Sequence, residues 1–277
     1  MKLQKPEIMP YTDHTDPDTI QKFNEVAEGY DQHFANRFDR AEENVLFDRY
    51  GHLLQRADVL DIGCGTGLVK RLSDRLLFRP RKYTGVDASS EMIIAASKKH
   101  KLGDLSIRTP SKSPYGSSGF AIDDMVEFMW AQPPASYDVV TSFYFPMNYC
   151  DQAPREVYEA VAHVLRPGGH FINVMATSRY AVRQSHILGA ANLRRYFEPN
   201  DYYLNDIRGY FNTIAIVGFN YFIEKYRRWL NLCPQVVIEA MFRFDQRMGE
   251  KSGAKPYFYG IHLQKPSLDY EKTPLDM

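Results

Sequence analysis

The stretch Val59-Leu60-Asp61-Ile62-Gly63-Cys64-Gly65-Thr66-Gly67-Leu68 decides the fold. An apolar run carrying one acid ends at Ile62, glycines follow at 63, 65 and 67, and a helical pattern opens behind them. This reads as a buried strand turning tightly into a helix. Glycines stand where the chain must bend and where a ligand must approach the backbone with no Cβ in the way. The dinucleotide fingerprint GxGxxG would require glycine at 68, but Leu68 is there. With GxGxG spacing and Asp61 two residues ahead, the loop favours a cationic ligand over a pyrophosphate. A generic glycine-rich turn of another α/β fold is the alternative, and GxGxG alone does not exclude it.

Outward from the loop, short β-rich runs alternate with helical stretches, the mark of a parallel α/β sheet. Strands are expected at 57–62, 82–87, about 118–123, 137–143 and 169–175, then at 212–219 and 256–264. Helices are expected at 67–78, 89–100, about 125–131 and 153–165, the last stopped by Pro167-Gly168-Gly169. A further helix should follow Asn200, and a long one should cover about 221–248. Before the sheet, apolar residues at helical spacing predict helices at 19–33 and 41–55, behind a polar arm over 1–17. Residues 101–117 read as a surface loop, and 176–199 interrupt the alternation after the fifth strand.

Composition narrows the class. The 277 residues are 44% hydrophobic and 14% aromatic, too rich in core formers for a disordered chain. Lys and Arg total 34 against 34 Asp and Glu, so net charge offers no footprint for a dedicated nucleic-acid or membrane-surface binder. No apolar run approaches the ~20 residues of a membrane span, and the N-terminus lacks an apolar signal core. Cys64, Cys150 and Cys233 are scattered, which indicates neither a disulfide framework nor a zinc site. The expectation is a reduced, cytoplasmic protein without a metal.

The loop and its surroundings together resemble the class I S-adenosylmethionine (SAM) dependent methyltransferases, in their small-molecule branch. Asp61 through Gly67 resemble the family's first motif, and Gly85-Val86-Asp87-Ala88-Ser89 its second-strand tip. Ser136-Tyr137-Asp138-Val139-Val140 and Val164-Leu165-Arg166-Pro167-Gly168-Gly169 resemble the entries to strands 4 and 5. Glu28-Gly29-Tyr30-Asp31 resembles the "YD" element of quinone-pathway and other small-molecule members. The resemblance covers about 55–176 in the expected order. It implies an α/β, Rossmann-like doubly wound seven-stranded sheet, mostly parallel with an antiparallel last strand. Residues 1–55 would form an arm and cap helices, and 56–277 the SAM-binding domain, with lid insertions at about 176–199 and 221–248.

By the same resemblance, Gly63, Cys64, Gly65 and Gly67 pass under the amino-acid end of SAM, and Asp61 meets its ammonium. Asp87 takes the ribose, with Ala88 and Met92 beside the adenine. Asp124-Met125 reads the adenine edge, with Asp123 as the alternative acid, while Tyr30 and Phe143 flank the cofactor. A capping role for Asp87 and a core role for Tyr30 are the plain alternatives. The segment after strand 4 lacks the (D/N/S)PP(Y/F) signature, which argues against nucleic-acid bases or protein glutamine as acceptor. Aromatic residues after strand 5 suit a small, partly apolar metabolite. His33, Tyr144 and His186 are the candidate bases for methylation at O, N or C. A SAM-binding but non-methylating partner subunit is the rival reading. An NAD-dependent enzyme conflicts with Leu68.

Overall fold

Runs that are apolar on both faces must be covered on both faces, and that requirement shapes the molecule. The computed structural model describes residues 17–33, 35–101, 118–144, 154–177 and 209–267. Its strands are β1 (Asp58–Ile62), β2 (Lys82–Asp87), β3 (Gly119–Ile122), β4 (Tyr137–Phe143), β5 (Leu165–Ala176), β6 (Asn212–Phe219) and β7 (Phe258–Gln264). They form one sheet in the order β3-β2-β1-β4-β5-β7-β6. Neighbours are parallel except β7, which runs antiparallel to both β5 and β6. This is the expected doubly wound sheet with its reversed last strand.

Helices cover the two faces. They are α1 (Pro17–Val26), α2 (Tyr30–His33), α3 (Arg37–Tyr50), α4 (Leu68–Arg75), α5 (Ser90–His100), α6 (Met125–Ala131) and α7 (Pro154–Val164). Alternation along β1 sends Leu60 and Ile62 into a core with α6 and α7, and Val59 into a second core with α3, α4 and α5. The chain winds outward from β1 through β2 to β3, then returns to the other side of β1 as β4. The order therefore reverses between β1 and β4, and the crevice at their C-terminal ends is where such sheets take ligands.

The opposite end of the sheet is closed by ions. Arg166 bonds Asp138 at 2.6 Å and Asp58 at 3.0 Å, and Arg81 reaches Asp58 at 2.7 Å. Arg81 and Arg166 hold the Asp58 carboxyl below its ordinary value. The Asp of the strand-4 entry and the Arg of the strand-5 entry thus serve to pin strand ends together.

Two expectations need correction. The single helix expected over 221–248 is broken: a 3-10 turn (Ile223–Tyr226) leads into α8 (Arg227–Leu230), then a turn, then α9 (Gln235–Ser252). Pro234 is the cause, since it lacks an N–H and disfavours helical backbone in the residue before it. Second, β5 begins at Leu165, earlier than the expected 169. Pairing jumps from Tyr137–Leu165 to Val139–His170, so Arg166–Gly169 bulge from the ladder and Gly168 turns at φ +77°. The arm over 1–16, residues 102–117, the insertion over 178–199 and the helix after Asn200 lie outside the described residues.

The 221–252 segment is fastened to α3. Phe38, Ala41 and Val45 pack on Ile223, Leu230, Ile238 and Phe242. Arg227 pairs with the buried Asp39, Asn44 donates to Glu239 at 2.8 Å, and Arg243 bonds Asp48 at 2.8 Å. Buried Asp245 collects the N–H groups of Tyr221, Phe222 and Ile223 at 2.6, 2.9 and 3.0 Å. Asp245→Ala strands three donors in a closed corner and should cost about 2–4 kcal/mol in urea unfolding. Asp245→Asn keeps an acceptor oxygen there and should lose clearly less.

Candidate functional site

The turn after β1 takes the shape its glycines permit. Gly63, Gly65 and Gly67 all lie at positive φ, at 62°, 52° and 82°. The Cys64 N–H donates to the Val86 carbonyl at 3.0 Å, tying the loop to β2, and the Gly67 N–H closes back on the Cys64 carbonyl at 2.9 Å. A Cβ at Gly67 would stand 2.8 Å from His100 Nε2 and 3.1 Å from Phe120, whereas one at Gly65 would meet nothing within 4 Å. The loop is therefore packed behind and open in front, as a ligand cradle requires.

Asp87 ends β2 facing this loop. Its Oδ2 accepts the Gly65 N–H at 2.8 Å and its Oδ1 the Ser89 N–H at 2.9 Å. Burial raises its carboxyl above the ordinary value, and the two N–H groups act the other way. Asp87 thus holds the cradle's shape and orders the turn into α5, with lone pairs left on both oxygens for a further donor. Ala88 follows half-buried, and Met92 is buried in the first turns of α5.

Asp61 is set deeper. It is 2% exposed, with Oδ1 accepting from Thr141 of β4 and Oδ2 from Tyr83 of β2, each at 2.7 Å. Burial pushes its carboxyl up to about 7, against those two hydrogen bonds, and Asp87 adds to the rise. The expected ammonium partner therefore also braces three strands at the switch point. Cys64 is buried and its thiol is raised by burial, which leaves it unreactive.

The N-terminal helices dock at this place. Asp31 accepts from the Thr66 hydroxyl at 2.7 Å and pairs with Lys99 of α5 at 2.5 Å. Asn24 Oδ1 accepts from the Ser89 hydroxyl at 2.7 Å. Tyr30, edge-on to Phe23, is pushed up to about 12 by burial, with Asp87 contributing. Nothing in the sequence pattern marks Asn24, Lys99, Tyr83 or Thr141 as part of this site, and Thr66 is marked only by its place in the loop. A hydroxyl between two loop glycines was the one available signal.

The remaining candidates divide. Asp124 caps α6, its Oδ1 accepting from Val126 at 2.9 Å and Glu127 at 3.2 Å, and no bond to Oδ2 is seen among the described residues. Met125 is buried in the core beside it. Phe143 is buried against Phe47, with ring centres 6.0 Å apart. Tyr144 follows β4 at φ +57°, a strained value for a side-chain-bearing residue, and its ring meets Phe258 edge-on at 4.9 Å. His33 closes α2, but its side chain, like all of His186, lies outside the described residues. Among the described residues no group of three or more His, Cys, Asp or Glu could hold a metal ion.

Gly65→Ala and Gly67→Ala should each cost about 1–2 kcal/mol through left-handed backbone alone. Thermal unfolding should show Gly67→Ala as the more damaging, and the difference should shrink in a His100→Ala background, which leaves the Phe120 contact at 3.1 Å.

A family profile described as a methyltransferase domain matches residues 59–169. Among curated relatives, the ubiquinone biosynthesis O-methyltransferase of Cronobacter sakazakii is 29% identical over 175 residues, 61% of this chain and 63% of that one. Its counterpart in Idiomarina loihiensis is 32% identical over 140 residues, 47% and 49% of the two chains. This chain thus spans less than two thirds of the length of these relatives. Among solved structures, a SAM-dependent methyltransferase of Thermotoga maritima superposes with a TM-score of 0.54 at 16% identity, over 88% of this chain and 99% of that one. Residues 59–169 thus match a methyltransferase domain, and the described chain has the fold of S-adenosylmethionine-dependent methyltransferases.

Proposed function

We propose that this protein transfers a methyl group from SAM to a small, partly apolar or aromatic metabolite, with an oxygen as the accepting atom. One observation carries the reading. An open glycine cradle is flanked by two carboxyls, the buried Asp61 and the half-buried Asp87, at the sheet's switch point. A ligand there is rewarded for hydroxyls and for positive charge, and a pyrophosphate is not. The oxygen acceptor is taken from the O-methyltransferase name of the curated relatives.

The cradle suits an adenosyl sulfonium on its own chemistry. Asp87 retains lone pairs for the two ribose hydroxyls, and the rise of its carboxyl by burial is relieved when donors arrive. Asp61, beneath the loop, favours the ammonium of the amino-acid end through the field of its ionised form. When bound, SAM supplies an already activated methyl on a positively charged sulfur. The protein's part is then alignment and exclusion of water. Alignment of a well-placed pair can be worth about 7–11 kcal/mol. Asn24 and Asp31 hold the N-terminal helices down over the loop and the β2–α5 turn, closing the cradle on that side. Tyr144, His33 and His186 stay as the candidate proton acceptors for an oxygen nucleophile, each worth roughly 10²–10⁴-fold if used.

Asp87→Ala should abolish or severely weaken SAM binding in calorimetry. Methyl-labelled SAM incubated with the protein and a panel of hydroxylated aromatic acceptors should give a product heavier by one CH₂. Tight SAM binding with no transfer across such a panel and a broad metabolite extract would overturn the enzymatic reading.

The raised Asp61 carboxyl fixes the pH dependence. In the free protein it is largely protonated below about 7. A cationic ligand favours the ionised form, so below that pH binding must expel the proton. SAM affinity should therefore rise with pH by up to about tenfold per unit below about 7, and flatten above it. Asp61→Asn should flatten the whole profile.

A further inference from the structure

Outside the crevice, one surface is unlike the rest. On α9, Ile238, Phe242 and Asp245 turn inward, while Val237, Met241, Phe244 and Met248 recur at i, i+4, i+7 and i+11 on an outward stripe. Phe244 is 65% exposed. Just ahead of this stripe, Leu230 is buried on α3, and Trp229 and Leu232 stand 75% and 76% exposed. Among the described residues, nine of the twelve exposed large apolar side chains lie in 222–248, and the other three, Leu77, Ile94 and Ile214, are scattered along the sequence, so the exposure is concentrated here.

The charges around this apolar face are one-sided. Between 222 and 252 the exposed cations are Lys225, Arg228, Arg243, Arg247 and Lys251, and the exposed acid is Glu250. Arg243 is matched by Asp48 and Glu250 is bonded to Gln246. The other acids of the segment are turned inward or bonded: Glu224 to Asn220, Glu239 to Asn44, and Asp245 to backbone. The zero net charge of the whole chain hides this local excess.

We propose that the outward face of 222–252 is a docking surface for an anionic lipid bilayer, lying in the interface without crossing it. Trp229 and Phe244 enter the acyl boundary, and Arg228, Arg247 and Lys251 meet the headgroups. An amphipathic helix with aromatics on one side and cations beside them binds through these two terms together. A second copy of the chain is the poorer occupant. A two-fold contact sets the patch against itself, bringing Lys225, Arg228, Arg247 and Lys251 of both copies together with only Glu250 exposed to answer them. No described helix is long and apolar enough to cross a membrane, in keeping with a surface-bound arrangement.

The test uses the full chain and vesicles of phosphatidylcholine with or without about one third phosphatidylglycerol. The protein should sediment with the anionic vesicles at low salt and release at high salt, with at least tenfold weaker partition onto neutral ones. The chain has two tryptophans, so in a Trp130→Phe background the emission of Trp229 should shift to the blue on binding. Trp229→Ser with Phe244→Ser, and separately Arg228→Glu with Arg247→Glu, should each reduce partition at least tenfold. Both pairs alter exposed positions, so melting temperature and SAM binding should stay as in the parent, which separates this surface from the cofactor site. No partition onto anionic vesicles at low salt would overturn the proposal. So would undiminished partition by both double variants, or a stable dimer in light scattering that buries Trp229.

Discussion

At the end of the central strand a carboxylate is held from both sides, by a tyrosine hydroxyl of β2 and a threonine hydroxyl of β4. Burying that charge is costly, and its raised carboxyl shows the strain. The two hydroxyls offset part of the cost and in doing so fix the spacing of β2, β1 and β4 at the place where the winding reverses. The glycine turn springs from this braced tip, and Asp87 reaches across to Gly65 from the neighbouring one. Strand register, loop shape and crevice all follow from where Asp61 is pinned. A buried acid left short of full compensation is also a standing preference for a positive ligand.

The chain's two ends are joined by a second set of polar contacts. α3 contributes Leu46, Phe47 and Tyr50 to the core on one sheet face while presenting Phe38, Ala41 and Val45 to the helices before β7. Its buried acids do similar bridging work, Asp39 with Arg227 and Glu43 with Arg71. N-terminal helices, cradle and the C-terminal helices therefore share one set of supports.

Much of this was legible in the sequence, for identifiable reasons. Parallel strands buried on both faces read as apolar runs, so β1, β2 and β4 fall within a residue of expectation, and the antiparallel edge strand β6 does so on its β-branched run. GxGxG and the absence of glycine at 68 separated the loop from a dinucleotide site. Less legible was whatever depends on partners far along the chain. Asp61 displays its acid in sequence, but Tyr83 and Thr141 stand 22 and 80 positions away. Asp124 reads as a ligand contact by resemblance, and what the structure shows is that it caps a helix. Pro234 was visible in the string, yet the periodicity on either side of it masked the break. Whole-chain charge averaged away a local excess of cations.

The order of the sheet has a consequence for how the chain is made. β7 lies between β5 and β6 but is the last in sequence of the described strands. Until Gln264 has left the ribosome, β5 has an open edge and β6 has no neighbour to join. At ordinary elongation rates of about 5–20 residues per second, synthesis of the stretch from 177 to 257 leaves that edge uncovered for on the order of 4–16 seconds. A bare edge of buried-type strand is a template for pairing with another nascent chain. The last few residues of the sheet thus close the fold and end its most vulnerable interval during translation.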